Sequence, residues 1–346
     1  MTEIARRTAL AALAAGALAS PVVAQGIRFK LLLNTSLSGP ISFFLLAEDR
    51  GYLRDEGLSV SFSSGGGAAV IVPQVQHGVY DAGYGDISAL IERIARGPEN
   101  TGPVAVYTTF NSVPFTIAVP ARGPVRTPAD LAGRRLIGHP MDAALVTFDL
   151  FATATGLDQK TVRIERSGAG MGSQVADMLS GQGADGVFGF VNTIIASIAA
   201  HGIDPRDLRF INYADHLPDM YGNTLFVTRE LYASNPAAVA GMVRAFNRGL
   251  RDTVASPDAA IDALEKRTTI RRAVDRTRLV GTLKSEMAHP EGARIGIGDM
   301  DDKRLERLIA LIVRTKKLPR TPTLREVFDR RFLPPKAERI TSLARQ

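Results

Sequence analysis

Residues 51–86 read GYLRDEGLSVSFSSGGGAAVIVPQVQHGVYDAGYGD, and their punctuation decides the fold. Gly51 and Gly57 suit helix ends, because glycine takes the left-handed backbone conformation at little steric cost. Leu58, Val60 and Phe62 alternate with serines, the period-2 pattern of a strand. Ser63 to Gly67 breaks that strand, Ala68 to Gln76 carries a helix, and Gly78 precedes a second strand over Val79 to Tyr84 that ends at Gly85-Asp86. This is a βαβ unit whose glycine turn, Gly65-Gly66-Gly67, sits at a strand's carboxyl end with a helix amino terminus beyond it. Unpaired N–H groups and partial positive charge collect at such a place, and open α/β sheets bind ligands there. Glycines alone fit a plain tight turn equally well.

Working outward, the device recurs. Gly168 to Ser173 supplies glycines, Gln174 to Leu179 a helix, and Asp185-Gly186-Val187-Phe188-Gly189 echoes Asp81-Ala82-Gly83-Tyr84-Gly85. Two halves of like construction predict one cleft between them. Before the first unit, Ile27 to Asn34 reads as a buried strand and Ile41 to Arg50 as a helix. Phe43 and Phe44 are adjacent helical residues about 100° apart, so one is expected in the core and the other on the cleft wall. Between the units, strands are predicted at Val104–Tyr107, Pro114–Val119 and Leu136–Pro140, and a helix at Asp142–Thr155. After them come a strand at Leu208–Tyr213, another at Leu225–Thr228 and helices at Ala237–Ala255 and Asp258–Lys266. Arg304 to Thr315 places Leu305, Leu308, Ile309 and Ile312 on one helical face, expected to pack on the first lobe. The pairs Lys316-Lys317 and Arg330-Arg331 read as solvated surface.

The 346 residues allow two domains. There is no cysteine, which excludes disulfides, thiolate metal sites and cysteine nucleophiles. The formal charge is +7, but Lys and Arg are scattered rather than interleaved with aromatics on one stretch, so no nucleic acid partner is expected. Arg6-Arg7, the apolar run Ala9 to Ala19 and the small residues Val22-Val23-Ala24 form an export signal over residues 1–24. Its apolar run is too short to span a bilayer, which takes ~20 residues. The paired arginines fit the twin-arginine route in part, and the general secretory route stays open.

On Gly51-Tyr52-Leu53, Glu56-Gly57-Leu58, the glycine turn and the later Gly78, Asp81 and Gly83, the chain resembles the NMT1/THI5-like and SsuA-like solute-binding proteins that feed ABC importers. The resemblance covers roughly residues 28 to 255. It implies an α/β type II periplasmic binding protein, with two α/β lobes joined by two hinge crossovers. Lobe 1 is expected over 25–117 plus 226–346 and lobe 2 over 118–225. It also implies a periplasmic monomer that presents a small-molecule solute to ABC permease membrane subunits, with no cofactor and no metal. The fungal relatives that make thiamine's pyrimidine use a cysteine-rich iron motif, which this chain lacks.

The resemblance places solute contacts at the loop residues Asn34, Ser36 and Ser38, with Phe43 or Phe44 as an aromatic wall, and at the glycine turn; the serines, Ser38 above all, equally suit plain helix caps. Asp86 is expected either to cap the helix Ile87 to Arg96 or to accept from the solute; the two roles are compatible. Tyr84, Asn111, Asp142, Gly170 and Tyr221 join the candidates, as do Phe190 and Asn192, the start of the loop facing Asp86. His139 is expected as a hydrogen-bonding pocket member, since no serine, aspartate or second histidine stands at a spacing that supports catalysis. The run G-x-G-x-G at Gly168 misplaces the third glycine of a dinucleotide fingerprint, and no Walker lysine or G-x-S-x-G occurs. No arginine is evident among the expected loops. The residues therefore favour a pyrimidine or similar heteroaromatic solute. A sulfonate, taurine or nitrate anion is the alternative, held by backbone N–H groups. A secreted enzyme and a ligand-sensing partner of a membrane kinase are the readings from other classes.

Overall fold

The computed structural model describes residues 26–343, so the expected export segment lies outside the described residues. Ten strands occur in order: β1 Ile27–Leu33, β2 Leu58–Ser64, β3 Ala82–Asp86, β4 Val104–Thr108, β5 Phe115–Pro120, β6 Arg135–Gly138, β7 Arg163–Arg166, β8 Gly186–Phe190, β9 Leu208–Asn212 and β10 Asn223–Val227. They form two five-stranded sheets, β2-β1-β3-β10-β4 and β7-β6-β8-β5-β9. In each sheet four strands run in one direction and one arriving from the other half is inserted antiparallel: β10 between β3 and β4, β5 between β8 and β9. The same order in both sheets is the structural form of the repeat seen in the sequence. β5 pairs along its length with the second sheet, and β10 with the first. The chain therefore crosses between sheets at 109–114 and 213–222, and the expected lobe boundaries at 117/118 and 225/226 fall inside β5 and β10.

The helices Ala68–Gln76 and Ile87–Arg96 stand where periodicity put them. The strand expected from Val79 begins only at Ala82, because Asp81 is engaged beside it: its carboxylate accepts from the Lys30 N–H at 2.7 Å. The helix expected over Asp142–Thr155 is two, Ala143–Val146 and Phe148–Thr155. They part at Thr147, whose Oγ1 donates to the Ala143 carbonyl at 2.6 Å.

The expected split of Phe43 and Phe44 between core and cleft is overturned, since both are 0% exposed. Their helix, Ser42–Asp49, is apolar on nearly every face and is covered by the first sheet and by the helices Pro236–Ala255 and Pro257–Glu265. A helix hydrophobic all round belongs in an interior, whatever the angle between neighbouring side chains. Phe44 meets Phe246 edge-on at 4.6 Å and Tyr84 at 4.9 Å. Gly249 makes this crossing possible: a Cβ there would lie 2.5 Å from the Phe43 carbonyl oxygen and 2.6 Å from the Ala47 Cβ. Gly249→Val is expected to lower unfolding free energy by about 2–3 kcal/mol, as overpacking does. Urea unfolding followed by circular dichroism measures it; an unchanged midpoint would mean that the helices part freely.

The helix Asp302–Lys316 does bury Leu305, Leu308, Ile309 and Ile312. It packs on Ile87–Arg96 of the first half and on Phe148–Thr155 of the second, rather than on one lobe alone. Lys316 bonds Glu92 at 3.3 Å and Asp149 at 2.9 Å, and Arg330 pairs with Asp299 and Asp302. These two cations hold the fold together and are not merely solvated.

Candidate functional site

Between the carboxyl ends of the two sheets lies a cleft of about 280 Å³. The parallel strands β1 and β3 part company there, since their connections run to opposite sides, and the loops beyond them leave a crevice. From the first half, Asn34, Ser38, Gly66, Gly67 and Asp86 line it. From the second half come His139, Asp142, Phe190 and Asn192. Ile41, Phe110, Met141, Met171 and Phe190 supply apolar wall.

Gly67 precedes the helix Ala68–Gln76 at φ +99°, and a Cβ on it would lie 2.7 Å from the Met141 carbonyl oxygen of the other half. A side chain there would meet both backbone strain and the opposite rim. Asp86 ends β3 and takes up the first of the two roles its position allowed. Its Oδ1 accepts from the Ser88 N–H at 2.9 Å, capping the helix, while its Oδ2 has no hydrogen-bond partner among the described residues. Burial pushes its carboxyl up to about 7, against the pull of the Ser88 bonds. Asp142 is a cap in the second half, accepting from Ala144 N at 2.8 Å, and burial raises it to about 6. His139 is exposed at the rim, its Nδ1 accepting from the Met141 N–H at 3.2 Å. Asn34 donates to Asn223 Oδ1 at 3.2 Å, and Asn223 also lines the cleft.

The other candidates stand outside this lining. Ser36 is on the surface, and Gly65 packs on β1, where a Cβ would lie 2.4 Å from the Leu33 carbonyl oxygen. Tyr84 is buried, its hydroxyl 2.6 Å from Thr109 Oγ1, alongside Phe43 and Phe44 in the core. Gly170 begins the helix Met171–Leu179 one residue short of the cleft wall. Asn111 and Tyr221 lie in the two crossovers, and one cation binds both segments. Arg304 donates to the carbonyls of Asn111 at 2.6 Å and Met220 at 2.8 Å, pairs with Glu291 at 2.9 Å and lies 3.9 Å over the Tyr221 ring. Tyr221 also bonds Glu291 through its hydroxyl. Both were expected at the solute; instead they are buried away from the cleft lining, with Arg304 bonded to the backbone on either side.

Two charged residues of the cleft went unseen in the sequence, and one is the arginine that seemed to be lacking. The helix Arg272–Thr282 and the π-turn Leu283–Met287 fold back over the mouth and bring Arg278, Thr282 and Glu286 to the lining. Arg278 reaches Thr193 Oγ1 at 3.4 Å and approaches Asp275 at 3.8 Å, and its buried Nε has no partner among the described residues. Burial lowers its pKa. Glu286 is 2% exposed; its Oε1 accepts from Asn192 Nδ2 at 2.5 Å and Ser285 Oγ at 3.0 Å, while Oε2 is unpartnered. Burial raises its carboxyl, opposed by the Ser285 and Asn192 bonds and the nearby Thr282 hydroxyl. The Asn192–Glu286 and Thr193–Arg278 contacts join the two halves across the mouth. A signal was present: Asp275, Arg278, Thr282 and Glu286 recur at helical spacing beside Leu279 and Leu283, charges on an apolar stripe.

Among the described residues there is no group of three or more His, Asp or Glu placed to hold a metal ion, and no helix is long and apolar enough to cross a membrane. A family model described as NMT1/THI5-like matches residues 40–260. No curated protein matches the chain by sequence. Among solved structures, the alkanesulfonate-binding protein SsuA of Xanthomonas axonopodis pv. citri, bound to MOPS, is 16% identical with a TM-score of 0.63; the match covers 89% of this chain and 99% of that one. The periplasmic aliphatic sulphonate binding protein SsuA of Escherichia coli is 14% identical at TM-score 0.65, covering 88% and 92%. The desulfurization enzyme DSZB is 16% identical at TM-score 0.58, covering 90% and 99%. The shared architecture is the periplasmic binding protein fold, two α/β lobes with a cleft between.

Proposed function

The chain belongs to the NMT1/THI5-like family, and from that premise we propose that it is the periplasmic solute-binding component of an ABC importer. It captures one small organic solute in the cleft and presents the closed form to the membrane permease. The observation that carries the reading is a cleft lined from both halves, with apolar walls and polar atoms that have no partner among the described residues, beside the two crossovers that join the sheets. Contacts across the mouth, Asn192 to Glu286 and Arg278 to Thr193, tie the two halves together in this arrangement. A solute shifts closure by its difference in affinity for open and closed forms, and residues lining both halves provide that difference.

The finer reading is a heteroaromatic solute, pyrimidine-like, against Phe110 and Phe190. Arg278 supports a second, a sulfonate-type anion of the kind that the structurally similar SsuA proteins are named for. The shared fold of DSZB makes turnover a necessary control. A thermal-shift screen of pyrimidines, sulfonates and aromatic acids is expected to raise the melting temperature with at least one class, by linkage to the folded state. Chemical conversion of a bound candidate, or no binding in any class, would sink the transport reading.

A further inference from the structure

We propose that the solute is amphoteric, with an acidic group set against Arg278 and a nitrogen donor of ammonium or amidinium type set against Asp86 and Glu286. This rests on the binding-protein reading above. Hydrogen-bonding capacity left over in the cleft is lopsided. Asp86 Oδ2, Glu286 Oε2 and Asn34 Oδ1 are buried acceptors without partners among the described residues, and Ser38 Oγ, which can donate or accept, is likewise buried and unpartnered. Arg278 Nε is the charged donor left unpartnered. Its contacts to Thr193 and Asp275 are long, and Asp275 Oδ1 already accepts from the Gly39 N–H at 2.9 Å.

Each simpler solute leaves something unpaired. A plain anion satisfies Arg278 but enters a site that also holds Asp86, Asp142 and Glu286, and it offers their oxygens no donor. A plain amine satisfies the carboxylates and leaves Arg278 Nε unpaired, with Asp275 at 3.8 Å as a distant counter-charge. A neutral ring serves neither end. Unpaired buried polar groups cost free energy, charged ones most, so the solute that engages both ends is selected. About 280 Å³ between Ile41, Phe110, Met141 and Phe190 leaves room for a single ring or a short chain as its body.

The test uses the full mature chain and matched probes. One set is 4-(aminomethyl)benzoate, 4-methylbenzoate and 4-methylbenzylamine; the other is 3-aminopropanesulfonate, propanesulfonate and propylamine. Calorimetric titration ranks them, and native mass spectrometry identifies any solute retained from cells. The amphoteric member of a set, or an amphoteric retained solute, is expected to bind tightest. Arg278→Met and the isosteric Glu286→Gln are each expected to weaken it by about tenfold or more, the loss of one charged hydrogen bond. Circular dichroism checks that both variants fold. A tightest or retained solute with only one of the two groups overturns the proposal and leaves the binding-protein reading standing. No retained solute and no binding by any probe overturns both.

Discussion

Arg304→Met is expected to lower the unfolding free energy by about 3–5 kcal/mol, the usual cost of breaking one side of a buried ion pair. Arg304 and Glu291 are only 6% and 5% exposed at their side chains. Without the guanidinium, Glu291 stays buried with the Tyr221 hydroxyl and the Asp301 N–H as its remaining neighbours. The carbonyls of Asn111 and Met220 lose their donor at the same moment. Methionine fills most of the volume, so the loss reports charge and hydrogen bonding more than a cavity. The double variant Arg304→Met/Glu291→Gln removes the stranded charge and is expected to recover a good part of the loss. Urea denaturation of the four proteins of this cycle gives the coupling directly. A single variant within 1 kcal/mol of the parent would show that the crossovers do not depend on this clamp. Because Arg304 joins both crossovers, the single variant is also expected to loosen closure and weaken solute binding while leaving the cleft residues untouched.

Asp86→Asn is expected to stabilise the solute-free protein at pH 8 by roughly 4 kcal/mol and to leave it unchanged near pH 3. The folded-state carboxyl, at about 7, lies above its ordinary value of 3.8 because burial disfavours the charge. The folded chain thus holds the proton more tightly than the unfolded chain. Asp86 costs nothing at low pH, costs increasingly as pH rises from about 4 to about 7, and costs a constant amount above that. Asparagine keeps the helix cap, for which it is as good as aspartate, and carries no charge to desolvate. The difference between variant and parent, followed by urea unfolding from pH 3 to pH 8, isolates this one group from every other carboxylate. A flat difference would mean that Asp86 keeps its charge at little cost. The same substitution is expected to weaken an amine-bearing solute, so stability and binding move in opposite directions.

The features legible in the sequence are those written locally. Glycine turns, Asp-led strands and helix caps recur within a few residues, so both βαβ units and most strand ends were readable. So were Asn34, Ser38, Asp86, Asp142 and Asn192, which sit at strand ends or helix starts. Arg278 and Glu286 were not, because they reach the cleft through a helix that returns from far along the chain. Nothing near them in sequence announces a strand end. Phe43, Phe44 and Tyr84 were misplaced for a related reason. Position on a helix or strand gives a side chain's direction, but what covers it depends on the helices Pro236–Ala255 and Pro257–Glu265, encoded some 200 residues later.

The insertion of β10 between β3 and β4 sets an order of assembly. All five strands of the second sheet lie within residues 115–212, whereas the first sheet lacks its fourth member until residues 223–227 have been made. On the ribosome, where chains emerge amino end first, the later-encoded half completes its sheet before the earlier one does. The opening hundred residues wait as an unclosed layer, β3 and β4 each with an unpaired edge. A pulse of synthesis stopped between residues 212 and 223 would yield a protease-resistant second half attached to a digestible first.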